Sequence, residues 1–146
     1  MAQKLVLQSG EQLLFRVPVS LVTGRLATRT GTCYVTNRRI VVISESLAAG
    51  VSAAVSIISR AILRKANALG TQKQEVSLKM LGRISLGKYG VGRTVDIPLG
   101  DGSQVRMVLN GKQTQRFLEA LDDALAEQGL ERVAEGEDAW RVRPRV

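Results

Sequence analysis

Histidine is absent from this chain and cysteine occurs once, at Cys33. Without an imidazole, Ser-His-Asp and Cys-His nucleophiles have no base, and most transition-metal sites lose their usual ligands. One thiol excludes an intrachain disulfide and a cysteine-built zinc cluster. Cys33 lies between Thr32 and Tyr34 in an alternating stretch, where a thiol acts as a small core hydrophobe. Aromatic residues make up 3% of the chain, too few for the stacking platforms that hold single-stranded nucleic acid, and no helix-turn-helix or zinc module is found. Long apolar runs are missing too. The uncharged stretch 46–59 falls short of the roughly 18 apolar residues that span a bilayer. The N-terminal "MAQKLVLQSGEQ" has no signal-peptide pattern, so a cytoplasmic location is expected.

What is present fits one globular domain. The 146 residues are 45% apolar and 23% charged, enough to bury a core. Charge is unevenly placed. Residues 1–111 carry fifteen cationic side chains against five acidic, residues 112–138 three against eight, and residues 139–146 three against none. A basic body of this kind favours phosphate-bearing partners, lipid headgroups or nucleic acid, by long-range attraction, and it also serves solubility.

Hydrophobic periodicity divides the chain into strands, a helix, more strands and a second helix. "EQLLFRVPVSLV" reads as a strand with Pro18 at an edge or bend. "TCYVT" and "RIVVIS" read as a hairpin turning at Asn37, a residue type that tolerates the left-handed conformation of tight turns. Over 46–70, Leu47, Val51, Val55, Ile58, Ile62 and Leu69 recur at helical spacing, and Arg60, Arg64 and Lys65 crowd the C-terminal turns. "QEVSLKML" alternates, with Val76, Leu78 and Met80 on one side. "RISLGKYGVGRTVDIPL" supplies two short strands, and the Asp-Gly at 101–102 leads by a hairpin into "QVRMVLN". The spacing of Asn110 and Gln113 predicts a capped helix over 112–128 with the apolar stripe Phe117, Leu118, Leu121, Ala124 and Leu125.

No catalytic constellation emerges. "GKYGVGR" lacks both the Gly-Lys-Ser/Thr ending of a phosphate loop and the spacing of a dinucleotide site, so it reads as a strand-to-strand turn carrying Lys88 and Arg93. Glu75, Asp96 and Asp101 stand apart at strand borders and read as turn-forming or solvated carboxylates. No enzyme, cofactor or metal is expected. The inserted helix can pack on its own sheet, on a second copy, or at a membrane interface, with Ile57, Ile58, Ile62 and Leu63 as its interaction face. The segment 131–146 reads as a tail. Its Trp140, Val142, Pro144 and Val146 alternate with Arg141, Arg143 and Arg145, as in an extended segment added to a sheet edge, its own or a neighbour's, or left in solvent.

The stretches "GEQLLF", "TGTCYVTNRRIVVIS", "VDIPLGDGSQVRMVL" and "FLEALDDAL" together resemble the pleckstrin-homology (PH) superfold, in particular its GRAM and bacterial PH-like group. The pattern G-x-L-x-[LV]-T-N-x-R-[LI] is met by Gly31, Val35, Thr36, Asn37, Arg39 and Ile40, with Cys33 in place of the leucine. The resemblance covers about residues 9–128 and implies a mainly β, α+β fold: a seven-stranded, partly open barrel or sandwich capped by the C-terminal helix. The PH-like domain would span 1–130 with the helical insert at 46–70. The resemblance also implies basic side chains around the first hairpin as phosphate contacts, here Arg25 and Arg29, with Arg38 and Arg39 at the next turn. Arg38 and Arg39 can equally be solvated or bonded to loop carbonyls.

The expectation is a non-enzymatic interaction or scaffolding module that works through a protein partner or homo-oligomer, cytoplasmic or peripheral at a membrane. A peripheral module binding anionic lipid through Arg60, Arg64 and Lys65 is the alternative, and a basic nucleic-acid-associated protein ranks third.

Overall fold

The computed structural model describes residues 5–22, 28–44, 72–89, 92–99 and 104–145, with the backbone alone at 28, 29, 72, 89 and 92. Among the described residues nine strands form one antiparallel sheet: β1 (Leu13–Val22), β2 (Thr28–Thr36), β3 (Arg39–Ser44), β4 (Gln72–Ser77), β5 (Arg83–Tyr89), β6 (Gly92–Pro98), β7 (Gln104–Leu109), β8 (Leu130–Ala134) and β9 (Ala139–Pro144). Their order is β4-β3-β2-β1-β7-β6-β5-β9-β8, an α+β arrangement with helix α1 (Gly111–Glu127) after β7. This is two strands more than the expected seven. The ladder runs as an open sheet whose terminal strands among the described residues are β4 and β8.

The alternation read from the sequence sets the register. In β1, Val17, Val19 and Leu21 face the core, opposite Cys33 and Gly31 of β2. Gly31 is needed there because a Cβ would come within 2.9 Å of the Ile43 carbonyl oxygen. Pro18 sits inside β1, opposite Thr32, and β7 joins β1 farther along at Ser20 and Leu21. A residue without an N–H therefore falls where the strand is paired on one side. Every residue of β3 is buried, so this strand is covered on both faces.

Helix α1 lays Phe117, Leu121, Ala124 and Leu125, all fully buried, onto the core that Ile84, Val95, Ile97 and Met107 form on the sheet. Its start is as the sequence predicts. The Asn110 side chain accepts from the Gln113 N–H at 2.8 Å and the Gln113 side chain reaches back to the Asn110 N–H. Such a box contributes about 1 kcal/mol.

Of the alternatives read for the C-terminal segment, its described residues take the one added to the chain's own sheet: β8 and β9 pair with each other, and β9 adds to β5 through Arg83, Ile84 and Ser85. Two expectations are corrected. Met80 does not continue the β4 stripe, because the strand ends at Ser77 and the Met80 N–H bonds the Ser77 carbonyl in a turn, leaving its side chain 69% exposed. Asn37 does not take the left-handed conformation; the described residues with positive φ are Gly10 and Gly129. The helix expected at 46–70 lies outside the described residues.

Candidate functional site

The Thr36–Arg39 turn between β2 and β3 is held by side chains. The Thr36 hydroxyl oxygen accepts the N–H groups of Arg38 at 3.1 Å and Arg39 at 3.0 Å, closing the turn without backbone strain. The Asn37 side chain accepts the Gln12 N–H at 2.8 Å, the Asn37 backbone N–H donates to the Gln12 carbonyl at 3.1 Å, and the Gln128 side-chain amide beyond α1 donates to the Asn37 backbone carbonyl at 2.7 Å. Residues 8–12 and the end of the helix are thereby fastened to one hairpin.

Beneath the turn lies a buried ion pair. The Glu11 carboxylate, with no exposed side-chain surface, receives Arg39 Nε at 2.8 Å and Nη2 at 3.0 Å, the Thr36 hydroxyl at 2.7 Å and the Gln8 N–H at 2.9 Å. Arg39 also donates to the Val6 carbonyl at 2.9 Å and to the Glu75 carboxylate. Two charges removed from water need this degree of bonding to be tolerated. The Arg39 hydrogen bonds, aided by Gln8 and Thr36 and opposed by burial, bring the Glu11 carboxyl down from 4.5 to about 2. The guanidinium of Arg39 is raised in turn, chiefly by Glu11.

Above this base opens a groove of about 740 Å³ lined by Gln8, Arg38, Arg39, Glu75, Ser77, Lys79 and Gln128. Its cations differ in kind. Arg39 is neutralised by Glu11 and Glu75, and Glu75 also meets Lys73 at 3.8 Å. Arg38 is exposed and lies against Gly10, whose φ is +78° and whose missing Cβ leaves room for the guanidinium, 2.9 Å from where that atom would stand. Neither Arg38 nor Lys79 has an acidic partner among the described residues. Two uncompensated cations, the Ser77 hydroxyl and the amides of Gln8 and Gln128 suit a ligand rich in acceptors and negative charge.

A smaller groove of about 390 Å³ lies between the start of α1 and the β8–β9 turn, with Leu86, Leu118 and Trp140 as walls and Arg93 and Asp138, 3.8 Å apart, at its rim. Trp140 is half-buried, packs against the core and carries the Arg132 guanidinium 4.7 Å over its ring. Arg132 is itself held by Asp122 at 2.9 and 2.8 Å. The tryptophan proposed as an interaction residue is thus engaged within its own chain.

Of the basic residues singled out from the sequence, the structure brings Arg38 and Arg39 to one groove and gives them opposite roles. Arg25, Arg60, Arg64 and Lys65, and the apolar Ile57, Ile58, Ile62 and Leu63, lie outside the described residues. Arg29 is placed in β2 opposite Leu21 by its backbone alone. Cys33 is wholly buried, and burial pushes its thiol up to about 12. Two carboxylates read as turn-forming or solvated carry ion pairs: Glu75 with Arg39, and Asp96 with Arg106 across the β6–β7 ladder at 2.8 Å. Sequence reasoning missed Glu11, Ser77, Lys79 and Gln128. Only the approach of three distant segments to the Asn37 turn makes them a set.

No protein-family model matches the chain, and no curated protein does. Among solved structures it is similar to the crystal structure of the C-terminal domain of an unknown protein from Leishmania infantum. The identity is 13% and the TM-score 0.51, covering 80% of this chain and 87% of that one. At this identity the likeness concerns the fold alone. No helix among the described residues is long and apolar enough to cross a membrane.

Proposed function

We propose that the chain is a non-enzymatic interaction module of PH-like architecture that binds a negatively charged partner protein in the groove beside the Asn37 turn. The strand order supports the architecture: β1–β4 and β5–β7 are two meanders joined through β1 and β7, α1 follows directly, and β8–β9 extend the β5 side. The observation that carries the function is the pair Arg38 and Lys79, uncompensated in an open groove whose base is fixed by a buried ion pair. Such a base holds the turn rigid, so little ordering is left for binding. Ser77 has no histidine to activate it and the groove's Glu75 is occupied by Arg39 and Lys73, which supports binding over catalysis.

The test is affinity for a hexaglutamate peptide. Arg38→Glu with Lys79→Glu should weaken binding by on the order of tenfold or more, whereas Lys112→Glu with Arg116→Glu, the same charge change on the exposed side of α1, should weaken it far less. Equal losses would reduce the effect to net charge and refute the site.

A second reading, docking on anionic lipid, is favoured by Leu7 (44% exposed) next to Gln8 and Met80 (69% exposed) next to Lys79, apolar side chains beside residues that line the basic groove. Sedimentation with phosphatidylserine vesicles that is abolished by Leu7→Ser with Met80→Ser would support it.

A further inference from the structure

The groove runs onto an edge of the sheet that is open among the described residues. There β4 is a terminal strand, and the Leu78 N–H donates to the Arg38 carbonyl at 3.0 Å, which fixes the phase of the β3–β4 ladder. Antiparallel pairs alternate between those that exchange hydrogen bonds and those that do not. With 38 and 78 bonded, Ile40 bonds Val76 and Val42 bonds Gln74, whereas Arg39–Ser77, Val41–Glu75 and Ile43–Lys73 are the open pairs. The N–H and C=O groups of Lys73 and Glu75 and the N–H of Ser77 therefore point away from β3. The Ser77 carbonyl is taken by the Met80 N–H at 2.9 Å. Among the described residues nothing pairs with this outward row.

We infer that the partner enters as an extended acidic peptide that pairs with the β4 edge and sets its carboxylates on Arg38 and Lys79. The inference rests on the groove reading and names what the groove takes. Three observations select this occupant. Glu75 and Ser77 line the groove, so a strand added to β4 is led into it by its own register. Arg38 and Lys79 flank that exit, so an acidic end is attracted there and a basic one repelled. A second copy of this chain, net charge +8, is a poor occupant, and Lys73 on the edge discourages casual strand pairing further. The opposite edge does not compete well: β8 packs on α1, and its Glu131 and Arg132 are taken by Arg143 and Asp122.

The probe is an acetylated, amidated octapeptide of three aspartates followed by alternating valine and threonine, so that antiparallel addition sets the aspartates at the Ser77 end of β4, titrated into the full chain with residue-resolved amide exchange as readout. Exchange at Lys73, Glu75 and Ser77 should slow by about tenfold or more near saturation, since main-chain hydrogen bonds supply the affinity in strand addition. A companion peptide N-methylated at alternate amides keeps the charge and removes those bonds, so it should bind at least about tenfold more weakly. Arg38→Glu should weaken the parent peptide by a similar factor, roughly tenfold, without moving the melting temperature.

Equal binding of the N-methylated peptide overturns the strand addition and leaves the groove as an anion site. Protection at β8 in place of β4 overturns it as well. So does an absence of protection at about 1 mM peptide, the regime of the weakest specific contacts. If hexaglutamate still depends on Arg38 and Lys79, the groove reading survives that result; if it does not, both fall. Capture on vesicles of phosphatidylserine and phosphatidylcholine, with no exchange protection by the peptide, assigns the groove to lipid and overturns the inference.

Discussion

Replacing Arg39 with Met tests whether the buried pair holds the Asn37 turn. The substitution keeps much of the side-chain volume and removes donors to Glu11, Val6 and Glu75. The Glu11 carboxylate is left fully buried with the Thr36 hydroxyl and the Gln8 N–H as its remaining donors. Removing one partner of a buried pair costs about 3–5 kcal/mol, and the surviving donors place this case near the lower end, about 3 kcal/mol. Linkage gives a similar size. The displacement of Glu11 from 4.5 to about 2 corresponds to about 3 kcal/mol of stability at neutral pH. Because the folded value is the lower one, that contribution is complete above about pH 4.5 and is lost as the pH falls toward 2. Urea denaturation of both proteins at pH 7 and pH 3 is the assay. A gap of about 3 kcal/mol at pH 7 that narrows at pH 3 is expected. A loss under about 1 kcal/mol, or a gap indifferent to pH, would refute the reasoning, and Glu11→Leu combined with Arg39→Met should recover part of the loss.

Leu121→Ala should destabilise by about 2–5 kcal/mol in the same assay, because the side chain is wholly buried between α1 and the sheet. Asn110→Ala removes the cap of α1 and should cost about 1 kcal/mol, seen as a lowered urea midpoint with an unchanged slope. Cys33, buried with its thiol raised to about 12, should resist a thiol reagent at pH 8 in the native protein and react at once in urea; rapid native labelling would contradict its place in the core.

The parts of the fold that depend on local pattern could be read from the chain. Alternation at Val17, Val19 and Leu21, the cap at Asn110 and Gln113, and the stripe through Phe117 and Leu125 each report a property of one segment. What could not be read depends on segments meeting. Glu11 and Arg39 are 28 positions apart, and nothing near either residue announces the other. Asn37 was expected to close the hairpin through its backbone conformation, yet the Thr36 hydroxyl does this work and the Asn37 side chain ties down Gln12. The alternation around Trp140 signalled an extended segment without saying which edge it would join; β5 was available, and its Ile84 pairs with Trp140. Lys79 joins the groove wall because β4 ends at Ser77, an end that the continuing alternation of "QEVSLKML" does not mark.

The most direct test of the central claim is a residue-resolved titration of the intact chain with hexaglutamate. The account predicts that the largest shifts fall on Arg38, Ser77, Lys79 and Gln128, and that Arg38→Glu with Lys79→Glu abolishes them while the sheet stays folded. Shifts spread over the basic surface, equally large at Lys112 and Arg116 and indifferent to the double substitution, would contradict it.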